Sequence, residues 1–340
     1  MEIRRLNTLR GLAALIVAIS HYSNASGIWE KKLGAGAGSI GVTLFFILSG
    51  FLMAYLYFGQ TPNLKNVRNF AVARIARVIP LYYAIAIASY FLVKYGPAYS
   101  APYAVCTEPI LFSHLLFLHG ESVLWTIPPE IQFYVLFALV WIFYGRFGRN
   151  AYCLVVLLLI ADFFSGNHND PIQIGELTFT ADILKALPYF VAGSVMGTVY
   201  YRYKVPKEAK SQFYLLALAF IPMLYPALYI AITGKGYASW AETSLVLMLA
   251  TIFFAVVFLI PDKNILLENP IGDFFGKISY SLYLLHLPVL SHLGQFELPA
   301  SFSSLIIFLA AATAVATVSF YVIEAPSRKL IRRLLTKQAA

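Results

Sequence analysis

The chain has 340 residues, 60% hydrophobic and 12% charged, with 16% aromatics and a mean hydropathy of +0.73. A soluble domain is nearer half apolar and a quarter charged, so the composition excludes an ordinary soluble enzyme and indicates a polytopic membrane protein. The net charge of +9 would suggest nucleic acid in a soluble chain. Here Lys and Arg sit in short segments between apolar runs, which is how membrane orientation is encoded.

A span needs about 20 mostly apolar residues. Ten stretches qualify, at 8–25, 40–58, 77–94, 127–145, 150–165, 182–201, 213–232, 242–260, 278–294 and 302–324. The first follows Arg4 and Arg5 and resembles a signal peptide, with "SNAS" as a cleavage site. Cleavage would leave an odd number of spans, so the stretch is read as an uncleaved first span. The fifth is short. The connection at 95–126 holds "ILFSHLLFLHG", which is expected to dip into the interface. With the N-terminus inside, 19 of the 25 Lys and Arg lie on inside segments and five outside, Arg10 lying within the first span. The expected fold is therefore an all-α polytopic membrane bundle of about ten transmembrane helices. Both termini are expected to be cytoplasmic, and residues 1–340 are expected to form one domain without a soluble appendage. No internal repeat supports an inverted-repeat transporter.

Ionisable groups inside spans are costly and usually face a bundle interior or a wet cavity. The first span carries Arg10 and His21, eleven residues apart. At 100° per residue they share one face, about 16 Å apart along the axis. Taken singly, Arg10 could snorkel to headgroups and His21 could be a packed helix histidine. Sharing a face weighs against both. In "RNFAVARIARVIPLYY" (68–83), Arg74 and Arg77 are helix neighbours, with Arg68 two turns earlier, where the third span enters from the cytoplasm. Such a cluster suits bidentate phosphate binding, although positive-inside charge alone would also place it there.

"LWTIPPEIQFYVLF" (124–137) places Glu130 about one turn in from the outer end of the fourth span, at a depth similar to His21. A carboxylate there can orient an imidazole, or it can be a helix-start acid after Pro128 and Pro129. In "GKISYSLYLLHLPVL" (276–290), Ser279, Tyr283 and His286 form one polar stripe, as fit for interhelical hydrogen bonding as for catalysis. Tyr321 and Glu324 in "SFYVIEAPSRK" read the same way. Gly193 and Gly197 read as a packing face. His114, His119, His168 and His292 are expected to be exposed or interfacial and are assigned no role. Cys106 and Cys153 have no metal spacing and read as inert thiols. The histidines lack zinc-ligand spacing, and neither a nucleophile elbow nor a phosphate-cradling glycine loop occurs.

Together these segments resemble acyltransferase family 3, the integral-membrane O-acyltransferases of bacterial surface glycans and some eukaryotic lipids. Arg10 to His21 matches the family's Arg, ten residues, His signature. "GVTLFFILSGFLM" (41–53) resembles its second span, and Arg74-x-x-Arg77 before "IPLYY" its third-span motif. "LWTIPPEIQFY" resembles its Trp…Glu-Glu-Gln-Phe-Tyr element, with Ile131 replacing a second acid. "SYSLYLLHLPV" and "YVIEAPSRK" match its last two spans. The fused extracytoplasmic hydrolase-like domain of some members is not expected here.

The resemblance implies an acyl-CoA-dependent acyltransferase of the cell inner membrane, most simply an O-acetyltransferase. It would move an acyl group from cytoplasmic acyl-CoA to a sugar hydroxyl of an extracytoplasmic or lipid-linked glycan. It implies His21 and Glu130 as catalytic residues, Arg10, Arg74 and Arg77 as donor-binding residues, and Trp125, Tyr134, Tyr283 and His286 as acceptor-binding residues. Acetyl-CoA would serve as co-substrate, with no permanently bound cofactor and no metal. Partners would be acyl-CoA, the glycan and membrane lipid, not nucleic acid, with a homo-oligomer or a polysaccharide-assembly partner left open. The competing reading from another class is a transporter or channel for an anionic or glycan substrate. A membrane scaffold in a polysaccharide assembly complex is a third.

Overall fold

The computed structural model describes residues 3–96, 103–148, 171–234, 236, 243–294 and 299–336. The expected fifth span at 150–165, Cys153 and His168 lie outside the described residues. The described chain is mostly helical: α1 (Arg4–Ser26), α2 (Gly38–Tyr57), α3 (Leu64–Tyr95), α4 (Glu108–Leu115), α5 (Ile127–Phe147), α6 (Asp182–Arg202), α7 (Pro226–Thr233), α8 (Thr243–Phe254), α9 (Pro270–Gly294), α10 (Phe302–Ser319) and α11 (Ala325–Thr336). A 3₁₀ segment, Gln212–Leu224, precedes α7, and π turns at Ala255–Leu259 and Phe320–Glu324 follow α8 and α10. The ends follow local chemistry. Gly27 closes α1 at φ 75°, a conformation that glycine adopts without steric cost. The Asn63 side chain caps α3 by accepting from the Asn66 N–H.

Among the described residues, five helices are long and apolar enough to cross a membrane. They become six if the pair Gln212–Leu224 and Pro226–Thr233, bent by 89°, counts as one broken span. Neither α1 nor α9, the helices of the polar motifs, is among them. One departure from an all-α chain is a two-stranded antiparallel hairpin, β1 (Ile172–Ile174) with β2 (Leu177–Phe179), turned at Gly175.

The chain divides into two compact units, residues 1–55 with 188–316 and residues 56–187 with 317–340. In the first unit α1 and α9 pack at backbone distance. A Cβ on Gly11 would lie 2.6 Å from the Phe275 Cβ, and one on Gly276 would lie 2.6 Å from the Asn7 Cα. Glycine is needed at both because the helices touch there. Asn7 meets Gly276 near the start of α1, and His21 meets His286 further along both helices. The two helices therefore run parallel. The α2 and α6 pair is held the same way: Cβ atoms on Gly193 and Gly197 would collide with the carbonyls of Ile47 and Phe51. These two glycines are a packing face, as the sequence suggested.

In the second unit α3 and α5 run antiparallel. Pro62, just before α3, abuts Gly145 near the end of α5, and the Trp141 indole donates to the Gln60 carbonyl at 3.0 Å. Helix α3 begins thirteen residues before the expected span, so Arg74 and Arg77 lie about 15–20 Å along it rather than at its mouth.

The connection at 103–126 forms α4, and the hairpin is tied to it by the Thr178 N–H to Ser113 Oγ at 3.0 Å. His114 corrects the expectation of exposure: it is fully buried in the fold. Its Nε2 accepts the Glu121 N–H at 3.2 Å, which leaves Nδ1 to donate to the Tyr82 hydroxyl at 3.0 Å. Burial pushes the imidazole from 6.5 down to about 4. The unfolded chain thus binds a proton that the folded chain refuses over this window. The stabilising contribution is complete above pH 6.5 and is lost as pH falls toward 4. Thermal unfolding should show the midpoint falling across that interval, and His114→Gln should flatten the slope.

Candidate active site

Within the first unit the helix register lifts His21 to the level of His286. From the close approach at Gly11 and Phe275, ten residues on α1 and eleven on α9 advance about 15 and 16 Å. The two rings meet with centroids 5.0 Å apart, and His286 Nε2 lies 3.0 Å from His21 Nδ1.

The surrounding acceptors fix the protons. His286 Nδ1 lies 2.7 Å from the Tyr283 carbonyl and 3.3 Å from that of Leu282. Carbonyls only accept, so His286 Nδ1 carries the hydrogen and Nε2 the lone pair. That lone pair faces His21 Nδ1, which also lies 3.1 Å from the Val17 carbonyl. Both neighbours of His21 Nδ1 are acceptors, so it is the donor. The remaining nitrogen, His21 Nε2, is left with its lone pair. His286 is fully buried, whereas His21 is half-buried. The His286 ring is enclosed by the fold and the His21 ring is partly exposed.

Tyr283 is buried, edge-on to Phe45 at 5.8 Å, with its ring 6.0 Å from His286. Of the stripe expected on this helix, the Ser279 hydroxyl donates back to the Gly276 carbonyl at 2.9 Å. Arg10 is half-buried on α1.

The second unit holds the other group. Tyr134 donates to Glu130 one turn away, and the Arg74 guanidinium lies 5.9 Å from the centre of the Tyr134 ring. Arg77 follows Arg74 by three residues on the same helix. The sequence separated the arginines from Glu130, at opposite ends of their spans. Instead, the early start of α3 brings Arg74 to the level of Tyr134. Trp125 is half-buried on the 3₁₀ turn Ser122–Thr126 that leads into α5. Tyr321 is exposed, and Glu324 is buried and paired with Arg328.

Sequence reasoning missed two features. The His21–His286 contact spans 265 positions and has no sequence signal. The Glu324–Arg328 pair had one, an acid and a base one helical turn apart.

The acyltransferase-domain family model matches residues 3–324. A protein of Acidianus two-tailed virus named as an acetyltransferase, ORF330, is 25% identical over 85% of this chain and 84% of its own length. The peptidoglycan O-acetyltransferase OatA of Listeria monocytogenes is 24% identical over 95% of this chain. The chain spans 55% of that enzyme's length. No solved structure matches.

Proposed function

The chain belongs to acyltransferase family 3, and from that premise we propose that it moves an acyl group, most simply acetyl, from cytoplasmic acyl-CoA to a sugar hydroxyl of an extracytoplasmic or lipid-linked glycan. The observation that carries this reading is the hydrogen-bonded pair His286–His21, which leaves the lone pair on Nε2 of the half-buried His21.

That lone pair fits either of two steps. As general base, Nε2 takes the sugar hydroxyl proton while the hydroxyl oxygen attacks the thioester carbonyl, and the C–S bond breaks to release CoA thiol. As nucleophile, Nε2 bonds to the acyl carbon with loss of the thiolate; the sugar oxygen then attacks that carbon as the C–Nε2 bond breaks, and the hydroxyl proton passes by way of the freed Nε2 to the CoA thiolate. In both, His286 is a positioning residue rather than the acceptor-binding one that the family resemblance implied. Arg74 and Arg77 are assigned to the donor's phosphates, where planar guanidinium groups suit bidentate contact. Arg10 is assigned to the donor, and Trp125 and Tyr283 to the acceptor. Glu130 and Tyr134 are grouped with the arginines.

The parallel course of α1 with α9, and of α2 with α6, suits a chain of ten alternating spans, in which these pairs would be the first with the ninth and the second with the sixth. The Lys and Arg bias supports cytoplasmic termini in a bacterial inner membrane.

The test of function is recovery of label from radioactive acetyl-CoA as a base-labile ester on surface glycan, using the full chain in nanodiscs. Label that never reaches the glycan, together with glycan or anion flux through proteoliposomes, would replace the enzyme with a transporter. Glu130→Gln separates the two roles open to that carboxylate. Grouped with Tyr134 and the arginines, it should raise the KM for acetyl-CoA several-fold with kcat nearly intact. A fall in kcat alone would return Glu130 to direct assistance of His21.

A further inference from the structure

The second unit contains two buried guanidinium donors with nothing to donate to. The Nε atoms of Arg74 and of Arg328 are both buried, and neither has a hydrogen-bond partner. Leaving one such donor unmatched costs about 1–3 kcal/mol, so a fold seldom keeps two in one neighbourhood without a ligand to receive them.

They do share a neighbourhood. Helix α11, which carries Arg328, packs along α3, which carries Arg74 and Arg77. Arg328 senses the charges of Arg74, Arg77 and Arg332. It is held from behind by Glu324, one turn earlier, whose side chain is 3% exposed and accepts from Arg328 Nη2. Glu324 closes the π turn Phe320–Glu324, and such single-turn bulges recur at functional sites. Among the described residues, the carboxylates placed with these arginines are Glu130, bonded to Tyr134 beside Arg74, and Glu324, paired with Arg328.

We propose that Arg328, oriented by Glu324, completes with Arg74 and Arg77 a site for a phosphate or pyrophosphate dianion. This rests on the assignment of Arg74 and Arg77 to the donor and extends it to a residue at the far end of the sequence. Phosphate chemistry has two sources here, the acyl-CoA donor and an anionic lipid headgroup.

The decisive variant is Arg328→Lys. It keeps the charge and can keep the Glu324 pair, but it loses the Nε–H and the planar fork. The full chain in phosphatidylcholine nanodiscs is titrated with inorganic pyrophosphate, coenzyme A and pantetheine, reading melting temperature and affinity. Wild type should be stabilised by pyrophosphate and should bind coenzyme A more tightly than pantetheine. Arg328→Lys should lose the pyrophosphate stabilisation and about tenfold in coenzyme A affinity, the equivalent of one charged hydrogen bond, with pantetheine unchanged. Its ligand-free melting temperature reports folding, and Glu324→Gln should reproduce the loss in weaker form. Wild-type binding of both phosphate ligands by a folded Arg328→Lys overturns the proposal, as does a wild type indifferent to pyrophosphate. If pyrophosphate stabilises wild type, coenzyme A does not bind, and the pyrophosphate effect vanishes in phosphatidylglycerol nanodiscs, the anion site stands with a lipid headgroup in it. The donor assignment then fails independently.

Discussion

His21→Ala should lower acyl transfer by about 10²–10⁴-fold, the range expected for loss of a positioned base, with the chain still inserted and folded. The prediction draws its force from the companion variants of His286. If His286 acts by accepting the His21 Nδ1–H, removing it as His286→Ala costs about one hydrogen bond, near 1 kcal/mol, or five- to tenfold in kcat. His286→Gln can present an amide oxygen to the same hydrogen and should recover part of the loss. The KM for acetyl-CoA should hold in both, because the contact is made behind the reacting nitrogen. Nitrogen-15 NMR of the imidazole gives a readout that a packing role would not move: His21 should carry its proton on Nδ1 in wild type and lose that preference in His286→Ala. If His286→Ala instead raised KM alone, His286 would belong to the acceptor site, as the family resemblance first implied.

The parts legible in the sequence were those with local periodicity. Apolar runs marked most of the helices, and the spacing of Arg10 and His21 placed both on one face of α1. Depth was harder to read. The apolar run of the third span starts at Arg77, whereas the helix that carries it starts at Leu64, capped by Asn63, and brings Arg74 beside Tyr134. Glu130, expected at the depth of His21, accepts from Tyr134, whose ring lies beside Arg74. What the sequence concealed is the pairing of helices far apart in the chain. It depends on where two backbones can touch, as at Gly11 and Gly276, and nothing in the local pattern of either helix specifies its partner. His114 misled for a related reason. A histidine in a connection between spans looks exposed until a hydroxyl and a backbone N–H from separate segments both turn toward it.

Arg5→Ala should be the most damaging substitution for stability, although in the sequence Arg5 reads as ordinary positive-inside charge. Its side chain is 2% exposed, and all three guanidinium nitrogens are engaged. Nε and Nη2 reach Glu268 Oε1 at 2.9 and 2.6 Å. Nη1 donates to the Ile260 carbonyl at 2.9 Å and lies 3.2 and 3.3 Å from those of Val256 and Val257. Nη2 also reaches the Pro261 carbonyl at 3.0 Å. These carbonyls belong to the π turn Ala255–Leu259 and the residues just after it, where the helix ends and acceptors are left without intrahelical donors. One side chain thus caps a helix end and neutralises a carboxylate that is itself only 15% exposed. Truncation leaves Glu268 with the Lys263 N–H but no countercharge from Arg5 and leaves several carbonyls unmatched, and breaking a buried pair on one side costs about 3–5 kcal/mol. Arg5→Lys would restore the charge but cannot fork toward both Glu268 and the carbonyls, so it should recover only part of the stability. The double variant Arg5→Met, Glu268→Leu removes both charges together and should be milder than Arg5→Ala alone, because no buried charge is then left without its partner. Thermal unfolding of the four proteins in nanodiscs decides it. Equal midpoints for wild type and Arg5→Ala would reduce Arg5 to the orientation signal that the sequence suggested.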